Sequence, residues 1–210
     1  MSLTLVTGPV RSGKSRHAEG LLADRSDVLY LATGPRTGGD HTDRGADTDQ
    51  LDRDLDEGSG DAEWAARVRL HQARRPASWR TVETSAVEEA MAAAGGPVLL
   101  DCLGTWLTAV VDAVGWHDLD AARTAVRGRT DTLLAALATT TAEVVVVTNE
   151  VGWSLVPTTA SGRFFQDELG RLNALVAVAA DRVHLVVVGR VLDLSDAPVV
   201  GSDLRGPPGA

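Results

Sequence analysis

The chain has 210 residues, enough to bury one substantial hydrophobic core, so we expect a single domain. Its net charge of −9 argues against a protein that coats nucleic acid, because such binding relies on clustered Lys and Arg. No stretch approaches the roughly 20 apolar residues of a membrane span, and we expect no export signal. A single cysteine, Cys102, fits a reducing compartment, so the composition predicts a cytoplasmic protein.

The elements follow one another as strand, glycine loop, helix and then alternating strands and helices. Leu3–Thr7 predicts a strand, residues 8–15 a glycine loop, and the stretch to about Ala23 a helix. Later strands are predicted at Val28–Ala32, Thr81–Glu83, Val98–Asp101, Val144–Thr148 and Val183–Val188. Later helices are predicted at Ala62–Arg74, Leu103–Ala113, Leu119–Ala138 and Phe164–Ala180.

Several strands are near-continuous apolar runs, such as residues 144–147, which is typical of a parallel sheet buried on both faces. We therefore predict a three-layer α/β fold of the RecA-like P-loop class, with an edge strand or hairpin at Val191–Leu194. The predicted domain covers residues 1–194. An acidic loop insertion at about residues 36–60 interrupts it, and residues 195–210, rich in Pro, Gly and Ser, form a disordered tail.

A phosphate-binding loop is the strongest local motif. G-x-x-x-x-G-K-S is matched, directly after a strand and before a helix, by Gly8, Pro9, Val10, Arg11, Ser12, Gly13, Lys14 and Ser15. Lys14 is the only lysine among 20 basic residues, so its compact ammonium indicates a specific role. In such a loop the backbone N–H groups hold the β-phosphate, the lysine reaches the β- and γ-phosphates, and the Ser15 hydroxyl ligates Mg²⁺.

Asp101 ends a buried strand, at the sheet edge where α/β proteins bind ligands. Its carboxylate is a candidate to hold a Mg²⁺-bound water beside Ser15. The alternative is an N-cap for the following helix, because Asp is among the best capping residues. These motifs predict nucleotide phosphate chemistry and leave the acceptor open.

Several further blocks occur in order along most of the chain. They are the P-loop with Arg16-His17-Ala18-Glu19, Tyr30-Leu31-Ala32-Thr33, Arg67-Val68 with His71, Arg75-Pro76, Trp79-Arg80-Thr81-Val82-Glu83, Leu99-Leu100-Asp101-Cys102-Leu103, Thr148-Asn149-Glu150-Val151-Gly152-Trp153 with Val156-Pro157, and Arg163-Phe164 with Gly170-Arg171-Leu172-Asn173. In this order the blocks resemble the bifunctional adenosylcobinamide kinase and adenosylcobinamide-phosphate guanylyltransferase family.

The resemblance implies two reactions: phosphorylation of adenosylcobinamide by ATP or GTP, and transfer of GMP from GTP to adenosylcobinamide phosphate. His71 matches the family's guanylylated histidine, and an imidazole can attack the α-phosphate and expel pyrophosphate. Read alone, His71 is a solvated helix residue between arginines. The resemblance also implies a homotrimer with sites near subunit boundaries. Rival interpretations are a plain small-molecule kinase and a nucleotide-sensing protein without turnover.

Further site residues are carried by the same resemblance. Glu83 matches a carboxylate beside the guanine base, which would accept from N1–H and the exocyclic amine; otherwise it is an exposed strand-end acid. Arg74 and Arg75 either bind nucleotide phosphates or complement a helix C-terminus. Thr33, Gly34 and Gln72 are assigned to the nucleotide site in the same way. The two tryptophans nearest these motifs, Trp79 and Trp153, are predicted to be packing residues; the alternative is that they are platforms for the corrin ring.

Overall fold

The computed structural model describes residues 2–34 and 75–200. The chain divides into two compact units, residues 1–34 with 78–210 and residues 35–77, and the fold below is that of the first. The acidic insertion predicted at about 36–60 and the helix predicted at Ala62–Arg74 lie outside the described residues. So do residues 201–210 of the predicted tail.

Strands and helices alternate along the described chain. The strands are β1 Ser2–Thr7, β2 Leu29–Ala32, β3 Arg80–Glu83, β4 Val98–Asp101, β5 Glu143–Val147, β6 Arg182–Val187 and β7 Arg190–Asp193. The helices are α1 Lys14–Leu21, α2 Val87–Ala92, α3 Leu103–Asp112, α4 Leu119–Thr139 and α5 Ala160–Ala179.

These strands form one seven-stranded sheet in the order β3-β2-β4-β5-β1-β6-β7. All neighbours pair in parallel except β6 and β7, which form an antiparallel hairpin at the edge. β5 therefore lies between β1 and β4. The predicted α/β P-loop architecture, with its mostly parallel sheet and C-terminal edge hairpin, is confirmed.

The central strands β1, β4 and β5 are buried on both faces, because successive side chains of a strand point in opposite directions and other side chains pack on each face. On one face, Leu3, Leu100 and Val146 pack with residues of α2 to α5, including the fully buried Trp106. On the other face, Val6, Leu99 and Val145 pack with Ala18 and Leu22 at α1. This double burial explains why the central strands read as continuous apolar runs.

Two helices differ from the sequence pattern. α5 begins at Ala160, four residues before the predicted Phe164, because Thr159 caps it by accepting a hydrogen bond from Gly162 N–H at 3.1 Å. Its first turn is polar and small, so apolar periodicity does not reveal it. α2 is a six-residue helix that the pattern did not single out. None of the helices in the described ranges is long and apolar enough to cross a membrane.

Candidate active site

The parallel strands place their carboxyl ends along one edge of the sheet. Residues 8–15 follow β1 there, and Thr33 follows β2. Asp101 is the last residue of β4 and pairs in register with Val147 at the end of β5. Because ligands of open α/β sheets bind outside the carboxyl ends of the strands, this edge is the candidate site.

The phosphate loop is packed against the β6–β7 turn. Gly189 N–H donates to the Ser12 carbonyl at 3.1 Å, and Gly13 takes a left-handed conformation, φ 98°, just before α1. At Gly8 a Cβ atom would lie 2.3 Å from the Val186 carbonyl oxygen, so only glycine fits. The first hydrogen bond of α1 is donated by His17 N–H to the Gly13 carbonyl, so the N–H groups before His17 have no acceptor within the helix. The motif thus has the predicted strand–loop–helix setting.

Two side chains of the loop point into its interior. Lys14 is 7% exposed, and its Nζ donates to the Pro9 carbonyl at 3.2 Å, across the loop. Ser12 is 4% exposed, and its Oγ has no hydrogen-bond partner among the described residues. A buried hydroxyl without a partner is costly, and an anionic oxygen in the loop would satisfy it. The cradle therefore fits a phosphate group.

Asp101 is held in place from the neighbouring strand. The Tyr30 hydroxyl of β2 donates to Asp101 Oδ2 at 2.7 Å, and Tyr30 itself is buried. The following helix is capped by Cys102, so the alternative of Asp101 as its N-cap is wrong. Asp101 lies two strands from β1, about 10 Å by the spacing of a sheet. Its carboxylate is thus oriented at the same edge as the phosphate loop.

A hydroxyl cluster fixes the backbone next to Asp101. Thr33 Oγ1 lies 2.7 Å from both the Cys102 carbonyl oxygen and Thr105 Oγ1, and it accepts from Cys102 N–H at 3.1 Å. Burial raises the pKa of the Cys102 thiol, and the negative charge of Asp101 raises it further. Thr33 therefore positions the β4–α3 junction, while its contact with nucleotide stays a prediction.

The residues after β5 extend the site toward the phosphate loop. Glu150 N–H donates to the Gly8 carbonyl at 3.0 Å, and the Thr7 hydroxyl donates to Glu150 Oε1 at 2.8 Å. Thr148 Oγ1 donates to Asn173 Oδ1 of α5 at 2.6 Å. The sequence motifs did not show these contacts, because they join residues more than 20 positions apart.

Other predicted site residues fall in different places. Glu83 ends β3, four strands and about 19 Å from β1 by the usual strand spacing, and Gly34 directly follows the Thr33 cluster. Arg75 is described and belongs to the unit of residues 35–77. The remaining three, His71, Gln72 and Arg74, lie outside the described residues. The roles of these residues stay predictions.

The two tryptophans predicted to pack behave differently. Trp79 is buried, and its Nε1 donates to the Arg25 carbonyl at 3.0 Å, as expected of a packing residue. Trp153 is 63% exposed, in the loop that follows Glu150, so the prediction for it is wrong. Its two immediate neighbours, Gly152 and Ser154, are small, and Gln166 of α5 donates to the Val151 backbone carbonyl at 2.8 Å.

Cavity volume does not mark this site. A depression of about 510 Å³ lies at the opposite edge of the sheet, between the residues that precede β4 and those that precede β5. Gly95, Pro97 and Thr141 are among its lining residues. It holds no phosphate loop and no strand C-terminus, so we assign the chemistry by residue type and sheet topology.

Comparison with known proteins supplies the acceptor. The chain matches the family described as "Cobinamide kinase / cobinamide phosphate guanyltransferase" over residues 4–50 and 56–194. The chain belongs to this family. The match begins in β1 and ends directly after β7, so it includes every strand of the sheet.

Curated relatives agree over nearly the whole chain. "Bifunctional adenosylcobalamin biosynthesis protein CobU" of Salmonella typhimurium (strain LT2) is 38% identical over 197 residues, 89% of this chain and 96% of the relative. The Escherichia coli (strain K12) protein of the same name is 39% identical over 198 residues, with the same coverage. "Bifunctional adenosylcobalamin biosynthesis protein CobP" of Pseudomonas aeruginosa is 33% identical over 200 residues, 93% of this chain and 98% of the relative.

Proposed function

We propose that this chain is a cobinamide kinase and cobinamide-phosphate guanylyltransferase, with adenosylcobinamide as acceptor. The observation that carries the proposal is the intact phosphate loop at the carboxyl edge of the sheet, with Lys14 folded into it, in a chain of this family. Family membership favours two group transfers over a plain kinase or a sensor without turnover.

In the kinase reaction the acceptor hydroxyl oxygen attacks the γ-phosphorus of a nucleoside triphosphate. The bond from that phosphorus to the β–γ bridging oxygen breaks, the nucleoside diphosphate leaves, and the hydroxyl proton is released. This chain contributes the cradle of backbone N–H groups, the Lys14 ammonium and the buried Ser12 hydroxyl. These donors surround the phosphates and offset their negative charge, which is the main task in phosphoryl transfer.

In the guanylyl transfer we propose His71 as the nucleophile. An imidazole nitrogen attacks the α-phosphorus of GTP. The bond between that phosphorus and the α–β bridging oxygen breaks, and pyrophosphate leaves. A phosphate oxygen of cobinamide phosphate then attacks the same phosphorus and releases the histidine. Glu83 is proposed to accept hydrogen bonds from guanine, and Gly34, Gln72, Arg74 and Arg75 to bind nucleotide.

Mg²⁺ fits the donor set on this edge. Ser15 follows Lys14 in the first turn of α1, and Asp101 presents a carboxylate that Tyr30 orients; hydroxyl and carboxylate oxygens are ligands that Mg²⁺ prefers. Bound there with the triphosphate, the ion would neutralise charge on the phosphates. We propose Ser15 as a direct ligand and Asp101 as the acceptor for a metal-bound water.

The predicted homotrimer and cytoplasmic location belong to the same proposal. β7 is an edge strand with an exposed outer side, including Val191 and Leu192, and such an edge offers a surface for another subunit. Light scattering on the purified protein should give three times the monomer mass. A monomer at micromolar concentration would contradict the trimer.

Replacing Lys14 tests the shared loop. Lys14→Ala should lower both the kinase and the guanylyl-transfer rates by at least about a hundredfold, since both need a triphosphate held in one cradle. Arg16→Ala removes an exposed cation two residues away and serves as the matched control. Guanylylation at the wild-type rate in Lys14→Ala would refute a shared site.

Replacing His71 separates the two reactions. With α-labelled GTP, the wild-type protein should acquire an acid-labile, base-stable label, and His71→Ala should not. Phosphorylation of adenosylcobinamide should continue in His71→Ala. His117→Ala, which removes an exposed histidine, is the matched control. If His71→Ala still makes adenosylcobinamide-GDP at the wild-type rate, His71 is not the nucleophile.

A further inference from the structure

The loop that follows β5 presents large apolar side chains outward. We call residues 151–157 the apolar loop. In it Trp153 is 63% exposed, Leu155 93% and Val156 75%. These three large apolar side chains are exposed within four consecutive residues, and groups of exposed apolar side chains mark binding surfaces. This stretch is therefore a candidate surface.

The apolar loop starts at the phosphate loop. Its preceding residue, Glu150, is joined to Gly8 by a backbone hydrogen bond of 3.0 Å and to the Thr7 hydroxyl by one of 2.8 Å. Trp153 is only three residues further along the chain. A molecule on the apolar loop consequently lies beside the place where a γ-phosphate would be held.

Side chains from one face of α5 hold the apolar loop and its flanks. Asn173 Nδ2 donates to the Asn149 carbonyl at 3.0 Å, and Gln166 Nε2 donates to the Val151 carbonyl at 2.8 Å. Arg163 Nη1 donates to the carbonyls of residues 157 and 158, at 3.0 and 2.9 Å. Positions 163, 166 and 173 are spaced by three and seven, which places them on one helix face.

This arrangement uses polar groups of the loop backbone and leaves the side chains of Trp153, Leu155 and Val156 exposed. At Gly162 an added Cβ would lie 2.7 Å from Pro157 Cβ, so the end of the apolar loop also packs closely on α5. Gln166 Nε2 further contacts Ser154 Oγ at 3.0 Å. A surface fixed before its ligand arrives loses less entropy on binding, as expected of a built recognition site.

We propose that the apolar loop is the docking surface for the corrin macrocycle of the cobinamide acceptor. The inference rests on the proposed function. A corrin is a broad ring with apolar faces, which matches an exposed indole followed closely in the chain by two exposed aliphatic side chains. Its phosphorylatable arm must reach the γ-phosphate, and the root of the apolar loop lies there. A second copy of the chain has another place to bind, the exposed edge strand β7.

Steady-state kinetics of the kinase reaction on the full-length protein test the proposal. Trp153→Ala should raise the KM for adenosylcobinamide about tenfold or more, with a smaller change in kcat and less than a twofold change in the KM for ATP. Trp153→Phe, which keeps a flat ring, should recover most of the affinity. Val156→Ala should raise the KM for adenosylcobinamide by about twofold to fivefold.

Val178→Ala is the matched control for Val156→Ala, because Val178 is 57% exposed near the C-terminal end of α5 and should leave both KM values unchanged. Unchanged KM for adenosylcobinamide in an active Trp153→Ala enzyme would overturn the docking surface and leave the proposed function standing. A smaller oligomer for Trp153→Ala in light scattering would also overturn it, since the loop would then be a subunit contact. Failure of the wild-type protein to phosphorylate adenosylcobinamide would overturn the proposed function itself.

Discussion

The hydrogen bond from Tyr30 to Asp101 gives a measurable link between the core and the active site. Tyr30→Phe removes only the hydroxyl that donates to Asp101 Oδ2 at 2.7 Å. Tyr30 is 1% exposed, so its ring stays buried and leaves no cavity. Hydrogen bonds to charged groups contribute about 1.5–3 kcal/mol, and Asp101 is half-buried, so water can partly replace the bond. We therefore expect a loss of about 1–2 kcal/mol in the free energy of unfolding.

For a chain of this size, that loss lowers Tm by about 2–8 °C. Urea unfolding of the wild type, Tyr30→Phe, Asp101→Ala and the double variant forms a double-mutant cycle. The cycle should return a coupling energy of about 1 kcal/mol or more, because both single variants remove the same charged hydrogen bond. Thr132→Ala, which deletes an exposed hydroxyl, should change stability by less than about 0.5 kcal/mol.

The same variant should also affect the reaction. Since Tyr30 orients the carboxylate proposed to hold a metal-bound water, Tyr30→Phe should need more Mg²⁺ for half-maximal kinase activity. Additive stability effects, within about 0.3 kcal/mol, would show that the bond contributes nothing measurable. An unchanged Mg²⁺ requirement would show that Asp101 does not hold a metal-bound water.

Two further predictions concern the phosphate loop and α1. Gly8→Ala should lower the free energy of unfolding by about 1–3 kcal/mol and weaken nucleotide binding, because its Cβ would lie 2.3 Å from the Val186 carbonyl. Gly20→Ala, in open space on α1, is the control and should be neutral or stabilising by up to about 1 kcal/mol, with both variants measured by thermal unfolding. Equal stability of the two variants would contradict the close approach of Gly8 to the Val186 carbonyl. Burial, and then the charge of His184, lowers the pKa of His17 from its ordinary value of 6.5, so the native state disfavours its proton. The contribution of neutral His17 to the free energy of unfolding is therefore complete above about pH 6.5 and is lost as the pH falls through the lowered pKa. In urea unfolding between pH 7.5 and 5, the free energy of unfolding should decline less steeply for His17→Gln than for the wild type. Parallel declines would contradict this.

Contiguous features could be predicted from the sequence. The phosphate loop occupies eight consecutive residues, and its glycines, lysine and serine act through backbone geometry that forms locally between a strand and a helix. Strands buried on both faces show themselves as apolar runs, as in residues 144–147, so the parallel sheet also follows from local pattern.

Contacts between distant segments could not be predicted in this way. Tyr30 reads as one more apolar residue of β2, and only the pairing of β2 with β4 brings its hydroxyl to Asp101, 71 positions away. Asn173 and Gln166 show a polar spacing on α5, but the pattern does not say which backbone they hold. The start of α5 was missed for the related reason that a capping hydroxyl, at Thr159, defines it.

Trp153 shows most directly what a sequence pattern cannot predict. Apolar side chains usually pack, because their burial is favourable by roughly 25 cal/mol per Å² of surface removed from water, so a sequence pattern assigns an indole to the core. Whether a core is available is decided by the fold, and here α5 satisfies the loop's backbone carbonyls and leaves the indole outside. The sequence by itself predicted the parallel sheet and the phosphate loop from local patterns, and the family from the order of its motifs along the chain. The orientation of Asp101 and the exposure of the apolar loop were decided only by the tertiary structure, because both depend on side chains that meet across the fold.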